Sequence, residues 1–208
     1  MKIILDFDYT IFDTAKFRGA IQGMFSEHGV DAELFTRSIE ESRGTAGDWK
    51  PDKQLEILES RGMSKISSMR HGFNSLTKNS QEYLYGDTMP FLKKMSEYHK
   101  FIVLSYGEDE FQGMKIRGCK EASKYFDKIL VTQNLSKDKE ASEIADQEPA
   151  IFIEDNPLAL AACKKYAPNI ITVRLNRGEG RHALVPSGDG VDYEVLELAE
   201  VEKLIANL

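Results

Sequence analysis

The sequence predicts an α/β fold, a doubly wound, Rossmann-like parallel sheet carrying an inserted all-helical unit, and three observations lead there. Short runs that are continuously apolar and rich in β-branched residues read as strands buried on both faces: KIIL at 2–5, FIVL at 101–104, KILV at 128–131, AIFI at 150–153 and NIITVRL at 169–175. Helical patterns precede each of these runs after the first, the alternation expected of a parallel sheet wound on both sides. Third, the stretch from 15 to 85 is far too long for an ordinary crossover and is itself helical in pattern, so it reads as an insertion.

Taken in order, KIIL opens the chain as the first strand. The insertion comes next as AKFRGAIQGMFSEHG, ending at Gly29, then DAELFTRSIEESR, ending before Gly44. PDKQLEILESRG places Pro51 in a first turn, where its missing N–H costs nothing, and SKISSMRHGFNSLTKNSQEYL completes the unit. The loop GTAGDWK, between the second and third of these, holds the single tryptophan, Trp49. Beyond the insertion, TMPFLKKMSEYHK, DEFQGMKIRGCKEASKYF, KDKEASEIADQ and NPLALAACKKYA are the helices between strands, the last opening with an Asn156 cap and Pro157. DYEVL reads as a sixth short strand and LAEVEKLIANL as a closing helix. This divides the chain into an α/β core of residues 1–14 and 86–208 and a helical insertion of residues 15–85. No internal repeat or low-complexity segment interrupts it.

With 208 residues, the chain holds one α/β domain and a small insertion. A hydrophobic fraction of 41% supplies an ordinary core. A net charge of -7 repels nucleic acid and anionic membranes at long range, and no basic stripe offsets it. No apolar stretch approaches the roughly 20 residues that cross a bilayer. The expectation is a cytoplasmic protein, monomer or homodimer, with no nucleic-acid or membrane partner. Cys119 and Cys163 lack metal-site spacing and read as reduced packing residues; His28, His71, His99 and His182 read as surface or helix-end residues.

Function is signalled by the polar residues at the end of each strand. KIIL runs into Asp6, Asp8 and Thr10; FIVL into Ser105, Tyr106 and Gly107; KILV leads through TQNLS to Lys137; AIFI runs into Glu154, Asp155 and Asn156. In an open parallel sheet these carboxyl ends share one edge, beside which ligands bind. Asp6 and Asp8, two residues apart at about 7 Å, project to one side. With Asp155 they make a carboxylate cluster, in which each pair about 4 Å apart repels by roughly 1 kcal/mol in water and more when buried. A bound cation relieves this, and Mg2+ suits hard carboxylate ligands beside a phosphate. Thr10 and Ser105 offer hydroxyls and the amides around them more, while Lys137 adds a positive charge. A carboxylate nucleophile, a second carboxyl as acid/base, a metal and a lysine together make a phosphoryl-transfer site. Taken singly, each is an ordinary cap or turn residue; their conjunction, in this order and each after its own strand, carries the reading.

On these motifs the sequence resembles the haloacid dehalogenase superfamily, in its phosphatase and β-phosphoglucomutase-like branch, over essentially the whole chain. DFDYT matches the first motif, IVLSYG the second, the lysine of NLSKDKEA the third and FIEDN the fourth. The resemblance implies that Asp6 is the nucleophile that becomes an aspartyl phosphate and that Asp8 protonates the leaving group and then activates water. It implies that Thr10 and Ser105, with Tyr106 and Gly107, hold the phosphate, that Lys137 neutralises it, and that Asp155 binds Mg2+ with Asp6 and the backbone carbonyl of Asp8. The halogen-removing members lack the second aspartate and use no metal, so Asp8 argues for phosphoryl chemistry. The insertion corresponds to a helical type 1 cap. Lys139 competes with Lys137 as the motif lysine; Lys137 is preferred because Ala141, Ile144 and Ala145 then keep their apolar spacing from it. Glu154 stands beside the metal shell, with its contact open. Arg43, Trp49 and Lys50 are the insertion residues best placed to touch a leaving group. NRGEGRHA at 176–183 comes after the last main strand and matches no dinucleotide fingerprint. The expected activity is Mg2+-dependent hydrolysis of a small-molecule phosphate ester. The alternatives are a sugar-phosphate mutase of the β-phosphoglucomutase type and a non-catalytic binding protein on the same fold.

Overall fold

The structure is a computed structural model that describes residues 1–45 and 47–208. One parallel sheet is built from β1 (Lys2–Leu5), β2 (Lys100–Tyr106), β3 (Phe126–Thr132), β4 (Ala150–Glu154), β5 (Ile171–Leu175) and β6 (Tyr193–Val195). The strand order is β3-β2-β1-β4-β5-β6. β1 lies between β2 and β4, with Leu5 level with Val103 on one side and Ile153 on the other. The chain therefore winds outward from β1 to β3, then crosses to β4 and winds the other way. The crevice at this reversal opens at the carboxyl ends of the strands.

Both faces of the sheet are buried, which is why its strands read as unbroken apolar runs rather than as alternations. Ile3, Leu5, Phe101, Val103, Ile151, Ile153, Val173 and Leu175 point to one side. There they meet α5 (Thr88–Met95), α6 (Asp109–Gly118) and α9 (Leu198–Ile205). Ile4, Leu104 and Phe152 point to the other side, against α7 (Asp138–Ala145) and α8 (Pro157–Tyr166).

Between β1 and β2 the chain forms α1 (Thr14–Glu27), α2 (Ala32–Ser42), α3 (Pro51–Ser60) and α4 (Ile66–Lys78). Asp13 caps α1 by accepting from Lys16 N, and Asp31 caps α2 by accepting from Leu34 N. The apolar cluster on the first face of the sheet continues into these helices through Phe17, Ile21, Phe25, Phe35, Leu55 and Phe73. Aromatic rings mark the passage: Phe7 stacks on Phe12 at 4.7 Å, and Phe12 meets Phe17 edge-on at 5.3 Å.

Three helical patterns are shorter than the sequence predicts. The pattern over 109–126 breaks after Gly118, and residues 122–125 form a separate 3-10 turn. Gly118 is pressed on the end of α4, where an added Cβ would lie 2.1 Å from the Thr77 carbonyl oxygen. The pattern over 64–84 likewise splits into α4 and a 3-10 turn at Ser80–Tyr83, because Ser80 Oγ is drawn to the Lys115 carbonyl oxygen at 2.6 Å. The helix predicted from Thr88 stops at Met95, since Lys100 is already paired with Lys2 in the sheet.

Candidate active site

The turn after β1 places three polar side chains at the reversal point. Phe7 O accepts from the amides of Ile11 and Phe12, at 3.1 and 3.0 Å, and Tyr9 adopts the left-handed region with φ 59°. This tight reversal brings Thr10 back over Asp6, so that Thr10 Oγ1 donates to Asp6 Oδ2 at 3.0 Å. Asp6 itself is held in the sheet by its amide, which donates to Ile153 O at 2.9 Å, so it sits level with Glu154 on the neighbouring strand.

Lys137 lies at the start of α7 in a left-handed conformation, φ 54°. Its ammonium donates to Asp6 Oδ1 and, at 2.6 Å, to Glu154 Oε2. Both carboxylates and the lysine are buried. Lys139 is exposed, so the lysine in the site is Lys137. Burial pulls Lys137 down, but the two carboxylates outweigh it and hold its ammonium above the ordinary lysine value. Burial and the charge of Glu154 push Asp6 up to about 7 against the pull of Lys137. Burial, then Glu154 and Asp6, push Asp155 up to about 9.

A cavity of about 340 Å³ opens over these groups. Its wall includes Asp6, Asp8, Ser105, Tyr106, Gly107, Lys137, Glu154 and Asp155, so residues from four strand ends face one space. Thr10 stands directly behind Asp6. Arg43 and Trp49 of the insertion line the same cavity, whereas Lys50 lines a neighbouring one. The Arg43 guanidinium is engaged by Glu40, at 2.8 and 3.1 Å, and by the Gly47 carbonyl at 2.8 Å. Trp49 is fixed through Nε1, which donates to Gln54 Oε1 at 3.0 Å, and its ring packs edge-on against Phe111 of α6 at 5.2 Å.

The carboxylates group differently from the expectation. Among the described residues, the three that bring a ligand oxygen within 4.8 Å of one another are Asp6, Glu154 and Asp155. The Asp8 side chain is drawn instead towards α6, where Lys115 Nζ donates to both of its oxygens, at 2.7 and 2.9 Å. Burial works to raise the Asp8 carboxyl, but Lys115 and the hydrogen bonds from Lys115, Thr14 and Gln112 prevail and hold it below the usual carboxylate range. The trio nevertheless fits Mg2+ in donor chemistry, since it offers only hard oxygens and, after burial, its own crowded charges raise two of its carboxyls.

His182 corrects a second expectation. Rather than a surface or helix-end residue, it lines the cavity beside Arg181. The buried Arg174 holds that loop in place by donating to the His182 carbonyl at 2.8 Å and to Ser187 Oγ at 2.9 Å. Arg177 anchors it to the first loop, donating to the Thr10 carbonyl at 2.8 Å and to both carboxylate oxygens of Asp87.

No protein-family model and no curated protein sequence matches the chain. Solved structures do. A protein from Burkholderia xenovorans assigned as a haloacid dehalogenase-like hydrolase superposes with a TM-score of 0.75 at 19% identity, over 99% of this chain and 96% of that one. The magnesium-bound HAD-hydrolase YfnB of Bacillus subtilis gives 0.67 at 13% identity, over 98% and 97%. The L-2-haloacid dehalogenase of Xanthobacter autotrophicus gives 0.66 at 15%, over the full length of both chains. The chain has the haloacid dehalogenase-like fold.

Within that fold, the sheet edge brings together Asp6, Asp8, Thr10, Ser105, Tyr106, Gly107, Lys137, Glu154 and Asp155, and the helices beside it add three residues that the sequence did not single out: Thr14, Gln112 and Lys115, all bonded to Asp8. A signal for the last two is present in α6. Its buried positions are Phe111, Gln112, Gly113, Lys115, Ile116 and Gly118, so two polar side chains fall on the stripe that should be apolar. Among the described residues no helix is long and apolar enough to cross a membrane.

Proposed function

We propose that the chain is a Mg2+-dependent phosphomonoesterase that hydrolyses a small soluble phosphate ester through an aspartyl phosphate on Asp6. The observation that carries this reading is the buried Asp6, bonded to Lys137 and Thr10 and clustered with Glu154 and Asp155, on the floor of a cavity that Asp8 and Ser105 also face. A carboxylate of Asp6 attacks phosphorus, the bond from phosphorus to the leaving oxygen breaks, and Asp8, reacting in the minor protonated form that its ion pair with Lys115 leaves, passes its proton to that oxygen. In the second half, Asp8 takes a proton from water as the water oxygen bonds to phosphorus and the bond to Asp6 breaks. Thr10, Ser105, Lys137 and the amide of Tyr106 hold the phosphoryl oxygens, with Gly107 beside them in the cavity wall. Asp6, Glu154 and Asp155, with the Asp8 backbone carbonyl, are the groups to hold Mg2+, which when bound offsets carboxylate charge and polarises phosphoryl oxygens.

The helices of residues 15–85 act in this reading as a cap that excludes water from the cavity, with Arg43 and Trp49 facing the leaving group. The protein works in the cytoplasm, as a monomer or homodimer. Removal of a halogen is disfavoured, because Asp8, the second aspartate that the halogen-removing members lack, faces the cavity.

Phosphate release from a panel of small phosphate esters, with Mg2+ and then with excess chelator, tests the proposal. Release that needs Mg2+, disappears in Asp6→Asn and falls by about 100- to 10,000-fold in Asp8→Ala is the expected result. Full activity of Asp6→Asn removes the reading. Isomerised product without phosphate release replaces it with a mutase.

A further inference from the structure

The proposed reaction gives no part to the lysine that holds Asp8. Lys115 and Gln112 lie three residues apart on α6, so their side chains leave the same face of the helix. Lys115 Nζ donates to both oxygens of Asp8, and Gln112 Nε2 donates to Asp8 Oδ2 at 2.5 Å and to Ser105 Oγ at 2.6 Å. From the other side, Thr14 Oγ1 donates to Asp8 Oδ1. The Lys115 side chain is 4% exposed, and its ammonium lies 5.2 to 5.4 Å from the ring centres of Phe7, Phe12 and Phe111.

Such a lysine is poorly explained by packing. Taking an ammonium out of water is unfavourable unless a partner and good geometry compensate, and an apolar side chain of the same length would fill this space without that cost. The aromatic rings favour the cation but give it no direction. Direction comes from Asp8, with which Lys115 makes its one ion pair among the described residues.

From this geometry we infer that Lys115, assisted by Gln112, is a positioning residue for Asp8: it fixes the carboxylate at the cavity wall and sets it in register with Ser105. Because Gln112 bridges Asp8 and Ser105, the group that moves the proton and a group that holds the phosphate share one support on α6. Asp8 then meets the reacting oxygens in one geometry, and a displacement of about 1 Å there costs on the order of 100-fold in rate. The inference rests on the phosphomonoesterase reading.

The test is a double-mutant cycle in kcat and KM on the native chain, Lys115→Met, Asp8→Asn and the double variant, with folding checked by circular dichroism. Methionine keeps the stem and removes the ammonium. The expected result is a fall in kcat of about tenfold or more for Lys115→Met, with KM within about threefold, and a change below twofold when the same substitution is made in the Asp8→Asn background. An equal loss in both backgrounds, or no loss, overturns the inference. Should Lys115→Met not fold, Gln112→Leu takes its place in the cycle with the same expected pattern and the same overturning result. A native protein that releases phosphate while both variants match it overturns this inference alone. A native protein that releases none overturns the reading beneath it.

Discussion

Asp8 has a carboxyl that burial alone would raise and that Lys115 holds low. A depressed folded value means that the Asp8 carboxylate contributes stability fully above the unfolded value, about 4, and loses it as pH falls through the folded one. Urea midpoints of the native chain are therefore expected to drop more steeply below pH 4 than those of Lys115→Met, in which the partner is gone. Parallel curves for the two proteins would contradict the pairing. Legibility in the sequence obeys the same local logic. Asp6, Ser105 and Glu154 are readable because each terminates an apolar run, where a change in polarity stands out. Lys137 is readable with help from the spacing of Ala141 and Ala145, both of which are buried. Lys115 is harder, since a lysine on a helix ordinarily faces water. Its partner is 107 positions away, beyond the reach of any local pattern. His182 escapes for another reason: its place in the wall is set by Arg174 holding its backbone, which no feature of its own neighbours shows.

The helical elements end where they touch one another. Gly118 terminates α6 against the Thr77 carbonyl, so alanine there has to displace backbone rather than a flexible side chain. Gly118→Ala is expected to destabilise the fold by about 1–3 kcal/mol, the usual cost of overpacking a tight contact. Chemical denaturation measures it, and an unchanged midpoint would show that the junction between α4 and α6 yields freely. This contact explains why the long pattern over 109–126 misleads. Periodicity reports which residues are apolar, and the break is imposed by a carbonyl from another helix. Caps made within the sequence neighbourhood, such as Asp13 on α1 and Asn156 on α8, are visible in advance because donor and acceptor are only a few residues apart. The loop beyond β5 is opaque in the opposite sense. It has no periodic pattern, and its course depends on Arg174 and Arg177 reaching Glu194, Asp87 and the Thr10 carbonyl.

At the scale of the whole molecule, the alternation of apolar runs with helical patterns fixes both the parallel sheet and its burial, and these are the strongest signals in the chain. The electrostatic state of the sheet edge makes a prediction about the complete protein. Asp6 and Asp155 have folded values raised to about 7 and about 9, so the folded chain retains protons that the unfolded chain has released. Their contribution to stability is accordingly present below about pH 4 and is lost as pH rises towards 9. In chelator, this contribution lowers the melting temperature between pH 5 and 8, and Mg2+ is expected to raise the melting temperature more at pH 8 than at pH 5. An equal or smaller Mg2+ effect at pH 8 would place the cation elsewhere. β1 has one more consequence, through its central position. It is the first strand of the chain, yet Lys2 pairs with Lys100 on one side and with Ala150 on the other. A growing chain must therefore hold this strand without its second neighbour until Ala150, 148 positions beyond Lys2, has been made. Such distant pairings slow folding, because loop closure comes before the contacts that reward it. The nucleophile candidate thus precedes by almost 150 positions the two carboxylates that complete its cluster, so a chain interrupted before β4 lacks both Glu154 and Asp155.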